Sequence, residues 1–270
     1  MLEVRDVEKT FHPGTADEVC ALRGVTLSVP DGSFVVVIGT NGSGKSTLLN
    51  AVAGTFLPDA GSIRLDGEDV TRWPEDRRAR KVGRVFQGPF SGTAPTMTIA
   101  ENLALAARRG KARGLGPALT RGLRREIRER VAALGMGLED RLENEIGTLS
   151  GGQRQALTLL MATWVKPRLL LLDEHTAALD PKTAEQVIRL TKTAVEEGRL
   201  TTLMVTHSMA QAVHFGDRLV MMHRGKVIHE VAGEEKRGLR PEDLLARFEE
   251  VRRSDRLDAA AAGLLRSFYV

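Results

Sequence analysis

Gly39-Thr40-Asn41-Gly42-Ser43-Gly44-Lys45-Ser46-Thr47 has the spacing G-x-x-x-x-G-K-[ST] of a phosphate-binding loop. The apolar run Phe34-Val-Val-Val-Ile38 leads into it. Lys45-Ser-Thr-Leu-Leu-Asn-Ala-Val-Ala53 leads out, with Gly54 as a helix stop. Strand, glycine loop and helix form the setting in which the pattern carries meaning. The glycines let the backbone turn tightly and aim its N–H groups inward. The helix N-terminus adds a partial positive charge. A polyphosphate such as that of ATP is the expected ligand. Lys45 is placed to reach its β- and γ-phosphates, and the Ser46 hydroxyl to ligate Mg²⁺.

The totals exclude several classes. A chain of 270 residues holds one large α/β domain or two small ones. Nothing repeats at a fixed period, which argues against a solenoid. Lys plus Arg is 39 and Asp plus Glu is 35, a net charge of +4 and too mild to indicate nucleic acid. The one cysteine, Cys20, allows no intrachain disulfide, which fits a reducing compartment, and is expected to pack as a small apolar side chain. No apolar run approaches the roughly 20 residues that span a bilayer. Met1 to Val7 alternates charged and apolar residues and lacks the apolar core of a signal peptide. A soluble, cytoplasmic chain is expected, with any membrane role supplied by partner chains.

Along the chain, Leu2–Val7 and Ala21–Val29 read as strands, the second closed by the turn Pro30-Asp-Gly32. Ile63–Gly67 reads as a third, with Asp66-Gly67 as a hairpin signal. These predict an antiparallel sheet layered on the nucleotide core. Phe11 lies between the first two strands; its ring can stack on adenine or serve as a core aromatic. Lys81–Phe86 is a strand ending at Gln87. Residues 88–166 read as a helical insertion, with helices over Thr98–Arg109, Arg121–Leu134 and Gln153–Val165. Arg108–Arg130 carries nine Lys or Arg against two Glu: a solvated helical face, or one facing anionic lipid or an acidic partner loop. Trp73 and Trp164 read as packing residues.

Leu149-Ser150-Gly151-Gly152-Gln153 opens the third helix. Ser150 and Gln153 have capping-box spacing. Two glycines in the first turn weaken a helix, yet bare N–H groups for an anion. Leu169–Leu172 is a buried strand running straight into Asp173-Glu174, adjacent carboxylates that need a cation or a catalytic use. Asp180-Pro181 starts another helix with Gly198 at its stop. Thr201–Val205 is a strand followed by Thr206-His207. Four apolar strands thus end in Gly39, Gln87, Asp173 with Glu174, and His207. Ligands of parallel α/β sheets bind at the carboxyl ends of strands, so one site above the phosphate loop is expected. Asp217–Glu230 reads as a hairpin about His223-Arg-Gly225. Residues 233–270 read as a surface extension of one or two helices.

With these motifs in this order, residues 1–232 resemble the nucleotide-binding subunit of an ATP-binding cassette (ABC) transporter. The Leu-Ser-Gly-Gly-Gln signature is specific to that family. The resemblance implies an α/β P-loop NTPase fold, a RecA-like mostly parallel sheet with an antiparallel β subdomain and an α-helical subdomain at about 88–166. It implies adenine stacking by Phe11, Mg²⁺ ligation by Ser46, Gln87 and Asp173, a general base at Glu174, and a γ-phosphate switch at His207. It also implies that Ser150, Gly151, Gly152 and Gln153 face ATP held by a second copy of the chain. His175 stands where the family commonly has Pro, and Ala177 where it has Ser. The wording of 39–42 and 173–181 is similar to a group of bacterial uptake systems, some associated with aromatic amino acids.

A single ATP cannot easily use both helix N-termini, after Gly44 and after Ser150, if the insertion stands off from the core; a head-to-tail dimer can. The expectation is an ATPase subunit peripheral on the inner face of the membrane, energising a solute importer. Permease subunits and a separate solute-binding protein would be its partners, with no nucleic acid. The alternatives are the ATPase of an exporter and a soluble, non-transport ABC ATPase. An unrelated P-loop kinase leaves Leu149–Gln153 unexplained.

Overall fold

Runs of Val, Leu, Ile and Met, unbroken in the central strands, dictate the larger sheet, because strands buried on both faces need apolar side chains on both. In chain order the elements are β1 (Leu2–Phe11), β2 (Val19–Val29), β3 (Phe34–Gly39), α1 (Lys45–Ala53), β4 (Ala60–Leu65), β5 (Glu68–Asp69), α2 (Glu75–Arg78) and β6 (Val82–Val85). Then come α3 (Ile99–Ala107), α4 (Arg121–Ala132), α5 (Gly151–Thr163), β7 (Leu169–Asp173), α6 (Pro181–Gly198) and β8 (Thr202–Val205). The last are α7 (Met209–His214), β9 (Arg218–His223), β10 (Lys226–Ala232) and α8 (Gly233–Arg237), followed by helix over 241–251. The computed structural model describes residues 1–111, 116–251 and 253. Part of the basic run, and the end of the extension beyond 253, lie outside the described residues.

The six-stranded sheet has the order β10-β9-β3-β8-β7-β6. β6, β7, β8, β3 and β9 are parallel, and β10 closes the edge antiparallel to β9. The second sheet, β2-β1-β4-β5, is antiparallel throughout. Both predicted hairpin turns carry two consecutive left-handed residues, Asp66 (φ 53°) with Gly67 (φ 78°), and Arg224 (φ 45°) with Gly225 (φ 78°). That is the type I′ geometry whose twist matches the flanking strands.

Three apolar clusters fill the layers. One joins the antiparallel sheet, α1 and one face of the large sheet, through Leu48, Leu49, Val35, Leu171 and Val205. A second covers the opposite face, through Ile38, Leu172, Met204, Phe215 and Leu244. A third belongs to the helical region, where Ile99, Leu103, Ile127, Leu138, Leu157 and Trp164 pack together. Half-buried Trp73 packs against the first, so both tryptophans serve packing as expected. Cys20 is half-buried.

Two details depart from the sequence reading. Gly198 does not terminate α6; it is the last helical residue, and Arg199 takes the left-handed position at φ 44°. The Arg199 N–H still reaches the Val195 and Glu196 carbonyls, so the hydrogen bonds of the stop outweigh the strain of a side chain there. The basic run is also no single solvated face. Arg109 is turned inward and donates to the carbonyls of Ala162 and Val165. Arg130 lies over Trp164, and Arg124 and Arg128 pair with Glu143 and Asp140.

Candidate phosphate and carboxylate site

The loop after β3 needs its glycines for space as well as conformation. A Cβ on Gly39 would collide with the Met222 carbonyl and the Ser43 hydroxyl. Gly42 (φ 75°) and Gly44 (φ 97°) are left-handed. Gly44 stands at the start of α1 with no side chain capping that helix. The first N–H groups of α1 thus lack the side-chain acceptor that most helices supply, which suits an anion. The Ser43 hydroxyl is buried with no hydrogen-bond partner among the described residues, a donor waiting for an acceptor in the same loop.

Lys45 is buried at the base of this loop. Its Nζ donates to the carbonyls of Gly39 at 2.9 Å and Thr40 at 3.0 Å, a folded-back arrangement that an incoming phosphate would replace. Burial pushes its ammonium below the usual lysine value, while Glu174 and Asp173 pull it back up. Thr40 and Asn41 form the turn at the top of the loop, closed by Ser43 N–H to Thr40 O at 3.1 Å.

The parallel register brings the other strand ends alongside. Asp173 pairs with Val205, and Val85 with Leu172. The Ser46 hydroxyl donates to Asp173 Oδ1 at 3.4 Å. Glu174 leaves the strand in a left-handed conformation, φ 44°, tied by its N–H to the Val205 carbonyl at 2.9 Å. A non-glycine residue in this region stores strain that the surroundings must hold. Its carboxylate is held from two sides: Gln87 Nε2 donates to Oε2 at 3.0 Å, and His207 Nε2 stands 2.5 Å from Oε1. Lys45, Ser46, Gln87, Asp173, Glu174 and His207 therefore meet at one edge of the sheet, as the strand endings predicted. Ser46, Gln87 and Asp173 bring hydroxyl, amide and carboxylate oxygens, the hard donor set that suits Mg²⁺ completed by phosphate oxygens.

Phe11 and the four signature residues have other neighbours. Phe11, at the end of β1, packs edge-on against Phe56 with centroids 5.3 Å apart, and Lys9 Nζ lies 5.6 Å from its ring. It reaches the loop only by neighbourhood, through β2, whose Ala21 and Leu22 border Gly44. The signature likewise has its own contacts. Ser150 is exposed and caps α5 reciprocally with Gln153, at 3.3 Å in each direction. Gly151 faces Leu179 and Pro89, and a Cβ on Gly152 would overlap the Thr183 methyl.

A profile of the family described as "ABC transporter" matches residues 22–177. The chain belongs to the ABC transporter family. A tyrosine transport ATP-binding protein of Clostridioides difficile is 42% identical over 92% of this chain and 99% of its own length. A lipoprotein-releasing system ATP-binding protein of Caulobacter vibrioides is 35% identical, covering 82% of this chain and 92% of its own. Among solved structures, a dimeric ATP-binding cassette in a post-hydrolysis state, bound to ADP and Pi, superposes with a TM-score of 0.74. It is 32% identical and covers 88% of this chain and 100% of its own. The chain is thus an ATP-binding ATPase on a P-loop NTPase fold, as the motifs implied. In this ABC ATPase no helix among the described residues is long and apolar enough to cross a membrane.

Sequence reasoning passed over several groups around the site. Arg84, beside Asp173, had one signal: a charge inside a short, otherwise apolar strand. Gln211 had none. It accepts from Thr206 at 2.8 Å and donates to Thr176 at 3.0 Å, joining the His207 loop to the segment after Glu174 across 35 residues of sequence.

Proposed function

We propose that this ABC ATPase hydrolyses Mg-ATP as a head-to-tail pair of copies and so energises a membrane importer. The observation that carries this reading is the difference in surroundings between the two anion-facing helix starts. The α1 start is surrounded by Lys45, Asp173 and Glu174. The α5 start presents exposed Ser150, with Gly151 against Leu179 and Pro89. Each ATP would lie on the loop of one copy, with Gly39–Thr47 around its phosphates, and be completed by Ser150, Gly151, Gly152 and Gln153 of the other. The dimeric cassette with ADP and Pi supports such a pairing.

In this mechanism Lys45 leaves its two loop carbonyls and takes up phosphate charge. Glu174, fixed by Gln87 and His207, orients and polarises the attacking water. His207, which is partly exposed, would sense the γ-phosphate, and Phe11 would stack on adenine. Mg²⁺ held by Ser46, Gln87 and Asp173 would neutralise charge developing on the transferred phosphoryl group. Loss of the γ-phosphate removes the anion that joins the copies, and they part.

A groove of about 360 Å³ lies between core and helical region, lined by Glu75, Arg84, Phe86, Leu105, Arg109 and Met161 among others. With exposed Phe90 and Leu105 nearby, it suits a permease segment, and the loop after Gln87 borders it. Import, with a separate solute-binding protein, is supported by the full-length likeness to the tyrosine transport subunit. An aromatic amino acid is then the cargo, and the inner membrane face the location. A second reading, the ATPase of an exporter, is supported by the lipoprotein-releasing relative.

The test is Glu174→Gln. With saturating Mg-ATP this variant is expected to run as a stable dimer in size-exclusion chromatography, with turnover down about 10²–10⁴-fold. A protein that remains monomeric there ends the two-copy reading. Uptake of labelled tyrosine in cells carrying or lacking the gene separates import from export.

A further inference from the structure

Arg84 is a cation built into a buried strand. In the parallel register it pairs with Leu171, two residues before Asp173, so the Arg84 and Asp173 side chains leave the sheet on the same face, toward α1. Its Nη2 donates to Asn50 Oδ1 at 2.6 Å and stands 3.5 Å from Asp173 Oδ2. Nη1 donates to Thr55 Oγ1 at 3.3 Å, and the guanidinium carbon lies 4.5 Å from the Phe86 ring centre. The Arg84 and Asp173 side chains are only 13% and 11% exposed. Ser46 takes the other carboxylate oxygen, Oδ1. Asp173 is therefore shared: a hydroxyl on the phosphate side, a guanidinium on the far side.

Arg84 offsets part of the negative charge of the carboxylates. Asp173 and Glu174 face Lys45, whose ammonium feels both, and Arg84 supplies a second positive charge beside Asp173, with Glu75 as its more distant carboxylate. No group of three or more His, Cys, Asp or Glu suited to holding a metal occurs among the described residues. Two carboxylates already opposed by two cations make a poor cation site. A nucleotide triphosphate adds negative charge and oxygen ligands and reverses that balance.

We propose that Arg84 is the counter-charge that keeps Asp173 from holding a divalent cation until a nucleotide brings one. Arg84 is thus a positioning residue acting through Asp173. The benefit is order of arrival: the metal enters with ATP and leaves with the products, and free cation does not occupy the empty loop. The inference rests on reading Ser46 and Asp173 as the cation ligands.

The experiment measures binding of Mn²⁺ alone to the nucleotide-free, full-length protein by electron paramagnetic resonance, and Mn²⁺-dependent binding of a fluorescent ATP analogue. Wild type is expected to bind Mn²⁺ weakly without nucleotide. Arg84→Met should gain at least about tenfold in that affinity. Arg84→Gln, which keeps an amide donor for Asn50, should gain likewise and guards against poor folding of the first variant. Asp173→Asn added to either should erase the gain. Equal Mn²⁺ affinity in wild type and both folded variants overturns the proposal while leaving the site reading intact. A wild type whose nucleotide affinity ignores Mn²⁺ removes the cation reading, and the proposal with it. Equal weakening of nucleotide binding with and without Mn²⁺, with no gain in Mn²⁺ affinity, reduces Arg84 to a structural tie between β6 and α1.

Discussion

Two helices of this ABC ATPase begin in ways suited to a phosphate, and they begin differently. α1 starts from left-handed Gly44 with no side-chain cap, and Lys45 at its first position is buried. α5 starts from Ser150 with a complete capping box and stays open to solvent. An uncapped start leaves N–H groups unsatisfied, so α1 is incomplete until an anion arrives. A capped start is stable alone, and an anion there adds to existing structure. Under the two-copy reading, the bare end would hold nucleotide and the capped end would be met by one from outside.

The sharpest way to break this contrast is Lys45→Ala. It should lower turnover by about 10²–10³-fold and nucleotide affinity with it, because the only ammonium in the loop is lost. Equilibrium binding of a fluorescent nucleotide measures this, and undiminished affinity would mean that α1 holds the ligand without it.

The second strike is at the open end. Gly152→Ala forces a methyl into Thr183, and such overpacking typically costs about 1–3 kcal/mol. Thr183→Ser removes the obstructing methyl; the next atom, Thr183 Cβ, is 3.2 Å away. The double variant should therefore recover most of the melting temperature and turnover lost by the single one. Loss that Thr183→Ser does not relieve would mean Gly152 is required for the phosphate contact itself.

A third difference is burial, and it shows in pH. His175, directly behind Glu174, is wholly enclosed, its Nε2 2.9 Å from Thr191 Oγ1, and burial pushes its imidazole down to about 4. The folded protein thus resists protonating it. Its stabilising contribution is full above about pH 6.5 and is lost as pH falls toward 4. Over that window the nucleotide-free protein should lose at most about 3 kcal/mol from this group. His175→Asn should flatten the slope in urea unfolding series at pH 7.5 and 5.

The smallest effect is Ser150→Ala, a lost cap costing about 1 kcal/mol. Under the two-copy reading, nucleotide affinity of the monomer stays unchanged while turnover falls. A parallel fall in monomer affinity would place the signature on its own copy's nucleotide.

Much of this site was legible because its motifs are local. A glycine loop between strand and helix, a carboxylate pair closing a leucine run, and a cap followed by two glycines each carry their physical reason within a few residues. The strand ends could be predicted to converge because parallel sheets gather their carboxyl edges. The basic run misled in part, because spacing alone could not show Arg109 turned inward toward backbone carbonyls.

Sequence by itself determined the phosphate loop, the buried parallel strands, both hairpins and the list of groups at the strand ends, since glycine placement and apolar periodicity act over short range. Only the tertiary structure decided which groups meet. It put Gln87 and His207 on opposite oxygens of Glu174, Arg84 behind Asp173, and Thr183 against Gly152. Those pairings depend on sheet register and helix packing between residues 31 to 89 positions apart, and no local pattern encodes them.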